Sequence, residues 1–317
     1  MTSIDLQAKE IKPARNTFTH VAKHIGGDKP ATRYQEATLG MQTSQNFHYR
    51  PTWAQDRELY DERFSALRLT DPYAYTDPRQ YYYTPYVTNR AALHDEFGKT
   101  LAYLEERELL ARMPDAWRAI LASVVVPLRH YESGAQLVSV TGARFAYGTS
   151  LEQCCTFAAF DRIGNAQMLS RVGIALAVGT ADVLTTAKQE WLDSDHLQPL
   201  RRLTEEIMIV EDWAEGLLAV DIIDSLIYPM LYTGLDDRAL LEGAGAYSLF
   251  TQHLNTWFKD QRKWLDALIT AWREDPENGE ANQAHLARID ETWRPRAQEA
   301  VDALSAVIDA QLNGATA

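Results

Sequence analysis

A chain of 317 residues with 46% apolar and 24% charged residues can bury a sizeable core, and its length fits about two domains or one large helical one. Its formal net charge of −13 disfavours nucleic acid and anionic membrane surfaces, which both need clustered Lys and Arg. Its two cysteines, Cys154 and Cys155, are neighbours that a disulfide would strain, so buried thiols in a reducing cytoplasm are expected.

The N-terminus, MTSIDLQAKEIKPARNTF, has no apolar stretch of the secretory kind. Residues 1–88 read as an arm of extended and short helical pieces. Six of the twelve prolines fall there, Pro13, Pro30, Pro51, Pro72, Pro78 and Pro85, and proline breaks helices and extends its predecessor. The arm also carries NFHYRPTW and DPRQYYYTPY. So many aromatics need a surface to lie on, either the chain's own core or a partner. Tyr, Trp and Arg favour interfaces, so Phe47, Tyr49, Trp53, Arg79, Tyr81, Tyr82 and Tyr83 are the candidate partner contacts.

Residues 89–312 read as helices. NRAALHDEFGKTLAYLEERELLARM is amphipathic. MPDAWRAILASVVVPLRHYESGAQLVSVTGARFAYG and SLEQCCTFAAFDRIGNAQMLSRVGIALAVG are too apolar for surface helices and belong centrally. LQPLRRLTEEIMIVEDWAEGLLAVDIIDSLIYPMLYTG reads as one helix with Pro229 kinking its end. Two further helices, GAYSLFTQHLNTWFKDQRKWLDALITAWRED and AHLARIDETWRPRAQEAVDALSAVIDAQL, complete the chain before a frayed tail, 313–317. Alternating strand patterns are almost absent, so a multi-helix bundle is expected. No apolar run reaches the ~20 residues of a membrane span.

A helical bundle can hold two irons with one Glu from each of two helices and Glu-x-x-His from each of two more. Of the eight histidines only His196 has an acid three residues earlier, Asp193, in loop-like DSDHLQP. The chain therefore contains no E-x-x-H. Carboxylates do occur on the apolar helices, at Glu132, Glu152, Asp161, Glu211, Asp212, Glu215, Asp221 and Asp224. Buried acids need partners, and Arg129, Arg162, Arg171 and Arg201 are the local candidates. A carboxylate-only metal site would need four or more of these acids to converge, with Glu132, Glu211 and Glu215 the first to consider. Phosphate loops and nucleophile elbows are missing.

The segments HVAKHIGGDKPATRYQEAT, NFHYRPTW, DPRQYYY, VPLRHYESGAQ, AFDRIGNAQMLSRVG and WLDSDHLQPLRR, in that order, carry a resemblance. The chain resembles the beta subunit of the hydroxylase component of bacterial multicomponent di-iron monooxygenases, most closely the phenol hydroxylase branch, over nearly its whole length. The resemblance implies an all-α, ferritin-like bundle that has lost its iron ligands and serves as a structural subunit. It implies a di-iron alpha subunit and a gamma subunit as partners in an (alpha-beta-gamma)2 hydroxylase. It implies a regulatory effector protein and a reductase with FAD and a 2Fe-2S cluster, and hydroxylation of phenol or a similar aromatic with NADH and O2. A toluene, alkene or short-alkane monooxygenase would use the same subunit role. No catalytic residue or cofactor is expected in this chain. Where a catalytic relative reads D-E-x-R-H, FDRIGNAQ places Arg162 at the Glu and Asn165 at the His. Arg162 is expected to neutralise acids such as Glu132. FKDQRKW, at the second such motif, offers Gln261 and Trp264, neither suited to iron.

Overall fold

The computed structural model describes residues 13–42 and 54–314. The described part of the arm has two short helices, α1 (Thr19–Ile25) and α2 (Arg33–Thr38). A capping box starts α2: Thr32 Oγ1 accepts from Gln35 N at 3.1 Å, and Gln35 Oε1 accepts from Thr32 N at 2.9 Å. The helices that follow are α3 (Tyr83–Glu106), α4 (Asp115–Ile120), α5 (Leu128–Phe145), α6 (Thr149–Leu176), α7 (Asp182–Asp193), α8 (Gln198–Ile207), α9 (Trp213–Pro229), α10 (Asp236–Leu241), α11 (Gly245–Arg273) and α12 (Gly279–Gly314). No strand occurs among the described residues.

Two segments read as single helices are divided. The stretch from Asp115 to Phe145 is α4, a π-helical turn at Leu121–Val125, and α5 beyond Pro127. The stretch from Gln198 onward breaks between α8 and α9, where Asp212 takes over as an N-cap: its carboxylate accepts from Ala214 N at 2.9 Å and Glu215 N at 3.2 Å. The proline expected to disturb this region ends α9, and the chain widens into a π turn at Met230–Gly234. Helix α3 starts at Tyr83, ahead of residue 89. Pro85 lies in its first turn, where amide protons have no helical acceptor in any case.

Helices α5 and α6 are joined by a three-residue turn and pack side by side. Gly142 lets them approach closely, since a Cβ there would meet Cys155 Sγ at 2.8 Å. Helix α9 packs on α5 and α11, α11 also meets α3 and α6, and α12 covers α9. One apolar core runs through all of these helices, with Trp117, Trp257, Trp264 and Trp272 fully buried. Both cysteines are buried and free, and burial pushes their thiols up.

Parts of the described arm rest on this chain's own bundle. Tyr34 Oη donates to Ser150 Oγ (3.2 Å) and accepts from Asp77 N (2.9 Å). Tyr75 Oη donates to the Trp264 carbonyl at 3.0 Å. The turn at Gly148, φ +112°, sits directly beneath the Pro72 carbonyl. Gly148→Ala places a side chain both in the left-handed region and against that oxygen, so a loss of ~3 kcal/mol is expected. Thermal denaturation checks this; an unchanged melting temperature would show that the arm yields there.

Candidate functional site at the bundle centre

Three helices aim charged groups at one buried point. Helix α5 brings Glu132, α6 brings Arg162, and α9 brings Asp224, each at most 2% exposed. Arg162 Nη1 donates to Glu132 Oε2 and to Asp224 Oδ1, both at 3.1 Å, and Nη2 donates to Asp224 Oδ2. Two tyrosines complete the shell. Tyr131 Oη donates to Asp224 Oδ1 at 2.6 Å, and Tyr228 Oη donates to Glu132 Oε1 at 2.5 Å. Asn165, one turn along α6 from Arg162, donates to Tyr228 Oη at 3.2 Å. The guanidinium also lies 4.9 Å from the Trp257 ring centre, on α11.

All four carboxylate oxygens thus accept from a cation or a phenol, which offsets the cost of burying two acids. Burial still raises Glu132 above the ordinary carboxylate range; Arg162 opposes that and Asp224 adds to it. Burial would depress Arg162, but Asp224 first and Glu132 next push it further up, so it stays charged.

A second charged group lies beside the first. Asp161, the residue before Arg162, accepts from Arg90 of α3 through both oxygens at 2.8 Å. Arg90 also donates to Asp260 of α11 at 2.8 Å. Arg79 pairs with Asp77 at 3.0 Å and with Asp260 at 3.5 Å. The Tyr81 ring lies 4.7 Å from the Arg79 guanidinium and 5.5 Å from that of Arg90. Burial alone would raise Asp260, but Arg90 and Arg79 hold it low.

The candidate interface residues therefore divide. Arg79 and Tyr81 are built into this chain's own fold: buried Asp77 and part-buried Asp260 hold Arg79, whose guanidinium lies over the Tyr81 ring. Tyr82 is half-buried and Tyr83 is 72% exposed. Phe47, Tyr49 and Trp53 lie outside the described residues.

The remaining acids are scattered. Asp221 pairs with Arg262. Glu152 accepts from Gln42 at 3.0 Å, and Glu215 from Trp293 Nε1 at 3.0 Å. Glu211 is exposed. Glu132, Glu211 and Glu215 do not gather, and among the described residues no three His, Cys, Asp or Glu side chains converge as metal ligands. Of the four arginines that sequence nominated as counter-ions, only Arg162 meets one of these acids at short range, apart from surface pairs elsewhere. Arg90 and Arg262, which hold Asp161 and Asp221, come from helices far away in sequence and left no local signal.

The family signature described as Methane/Phenol/Alkene Hydroxylase matches residues 53–276. The chain belongs to this hydroxylase family. Within it, the chain is 37% identical over 301 residues to the phenol 2-monooxygenase oxygenase component DmpL of Pseudomonas sp. strain CF600, covering 94% of this chain and 89% of that one. It is 35% identical to component MhpL of Acinetobacter pittii, with coverages of 87% and 83%. A solved phenol hydroxylase from Pseudomonas sp. OX1 superposes with a TM-score of 0.87 at 33% identity, over 98% of both chains. The ferritin-like, all-α fold and the phenol hydroxylase likeness expected from sequence are thereby shown.

The hydroxylase family is one of di-iron enzymes. The bundle centre of this chain does not fit such a pair of irons. A metal needs lone pairs pointing inward, whereas Arg162 presents only N–H donors between Glu132 and Asp224. On α11, Gln261 Oε1 accepts from Trp264 Nε1 at 2.9 Å, so these two side chains satisfy each other.

Proposed function

We propose that this chain is the non-catalytic beta subunit of a phenol-type monooxygenase hydroxylase, scaffolding an iron-bearing alpha subunit in an (alpha-beta-gamma)2 assembly. The observation that carries this reading is the Arg162 guanidinium filling the space between Glu132 and Asp224. Arg162 and Asn165 then occupy the slots where a catalytic relative has Glu and His. The relatives of this chain named as oxygenase components of phenol 2-monooxygenase support it further. In this reading the complex hydroxylates phenol or a related aromatic with NADH and O2. A reductase carrying FAD and 2Fe-2S supplies electrons, and an effector protein regulates turnover. In this reading the assembly works in the cytoplasm, where NADH is supplied; no described helix is long and apolar enough to cross a membrane.

The test is co-expression with the neighbouring open reading frames, purification through this chain, and iron counting on the complex and on the isolated chain. The expected result is stoichiometric iron only in a complex containing an E-x-x-H-bearing subunit, and no hydroxylation when this chain is omitted. Stoichiometric iron on the isolated chain would overturn the reading. A toluene, alkene or short-alkane substrate is the second reading. It draws support from relatives named propane 2-monooxygenase (22% identical, Rhodococcus jostii) and methane monooxygenase component A beta chain (26%, Methylosinus trichosporium). Their lower identity favours the phenol reading, and a substrate panel on the purified complex decides.

A further inference from the structure

Helices α5 and α6 bring Glu132, Asp161 and Arg162 inward. Their exposed residues include four large apolar ones beside Ser133, Gln167 and Arg171. Phe160 and Ile163 on α6 are 54% and 44% exposed, and Leu137 and Val140 on α5 are similarly open. Each pair is three residues apart, so each forms one stripe along its helix. On neighbouring α3 the Tyr86 ring lies 6.5 Å from Phe160, and exposed Tyr83 is one turn earlier. Among the described residues, α2 covers one end of this face through a hydrogen bond between Gln153 and the Ala37 carbonyl. Helix α7 covers the other end, where Trp191 stacks on His130. Nothing described covers the middle.

At the α7 end the face is edged by cations that lack counter-ions. Arg129 donates to His130 Nε2 at 3.3 Å and Ser170 Oγ at 3.4 Å, and has no carboxylate within ion-pair distance among the described residues. Lys188 has none either. Partial burial pushes Arg129 down with no acid to oppose it, and burial, Arg129 and Lys188 together lower His130 to about 4. Arg33, Arg107, Arg171 and Arg273 also have no ion pair among the described residues, but they are exposed, whereas Arg129 is half-buried. A half-buried cation without an anion has room for a carboxylate that another chain brings.

We infer that the outer face of α5 and α6, with Tyr83 of α3, is the docking surface for the permanent iron-bearing subunit, which seats apolar helix surface on Phe160 and Ile163 and a carboxylate against Arg129. This inference rests on the subunit reading above. A face this apolar suits a partner that stays bound; an effector or reductase that comes and goes meets a more polar surface.

The experiment is co-expression of the chain, as wild type, as the Phe160→Glu/Ile163→Glu double variant, as Arg129→Glu and as Arg129→Lys, with the E-x-x-H-bearing subunit. Leu241→Glu, at an exposed position on α10, is the control. Size-exclusion chromatography with light scattering reads the assembly, and circular dichroism of each isolated chain reads its folding. The face variant is expected to bind at least on the order of tenfold more weakly while melting as the wild type does. Arg129→Glu weakens binding, Arg129→Lys largely restores it, and Leu241→Glu leaves it intact. Full assembly of the face variant, where wild type assembles, overturns the inference and leaves the subunit reading standing. Failure of the wild type to assemble overturns the subunit reading itself. A wild-type homodimer that the face variant makes monomeric assigns the face to a second copy and overturns the inference.

Discussion

Arg162→Met is expected to destabilise the isolated chain by about 3–5 kcal/mol, because it leaves Glu132 and Asp224 buried without their cation. For a chain of this size that corresponds to a fall in melting temperature of roughly 5–8 °C. Hydrophobic contact with Trp257 is kept by Met, so the change isolates the charge. The loss depends on pH in a definite sense. Burial already holds Glu132 above its ordinary value, and Arg162 opposes the rise. A carboxyl raised in the folded state binds its proton more tightly folded than unfolded. It therefore costs stability as pH climbs from the ordinary carboxylate value through the folded one. Removing Arg162 widens that window upward. The variant's deficit is thus largest at pH 8 and shrinks towards pH 5. Adding Glu132→Gln and Asp224→Asn removes both charges while keeping acceptors for Tyr228 and Tyr131, and should recover most of the loss. Denaturant melts of the single and triple variants across pH check this. A deficit independent of pH, or a triple variant no better than the single, would mean that the guanidinium is not there to neutralise the acids.

The second large effect is expected at Arg90→Met, on the order of 3–4 kcal/mol. Arg90 joins three helices: it belongs to α3 and holds Asp161 of α6 and Asp260 of α11. The two acids are unequal once it is gone. Asp260 is 15% exposed and keeps Arg79 at 3.5 Å, whereas Asp161 is 2% exposed and keeps only the Tyr86 hydroxyl at 2.9 Å. Most of the loss should therefore come from Asp161. In a double-mutant cycle, Asp161→Asn in the Arg90→Met background recovers more stability than Asp260→Asn does. The reverse order would place the principal debt of charge on α11 instead.

Much of the site was legible because it depends on local spacing. The absence of E-x-x-H is a statement about residues three apart, and no folding can alter it. Arg162 and Asn165 are likewise three apart, so they share a helix face, and an arginine on so apolar a helix demands an acid. That Glu132 would supply it follows from two adjacent apolar helices joined by a short break. Which of the other acids would join Glu132, and that the phenols of Tyr131 and Tyr228 would close the shell, were not legible. The groups that close the shell are 62, 93 and 96 residues apart along the chain, in the pairs Arg162–Asp224, Tyr131–Asp224 and Glu132–Tyr228. Only the packing of α9 on α5 makes them neighbours.

Arg79 and Tyr81 show the limit from the other side. Composition put them in an aromatic arm fit for a partner, but composition does not say which way a side chain turns. Asp77 and Asp260 turn Arg79 inward, and the guanidinium groups of Arg79 and Arg90 lie 4.7 and 5.5 Å from the Tyr81 ring centre. The break between α8 and α9 was hidden for a related reason: apolar residues continue across it, and only the capping of α9 by Asp212 ends the run. The sequence by itself determined an all-α chain without the histidine motif of an iron site, since helix periodicity and the three-residue step are local properties of the backbone. The tertiary structure alone decided which acid meets which arginine and which helix face stays uncovered, because burial of charge is settled by what the neighbouring helices bring.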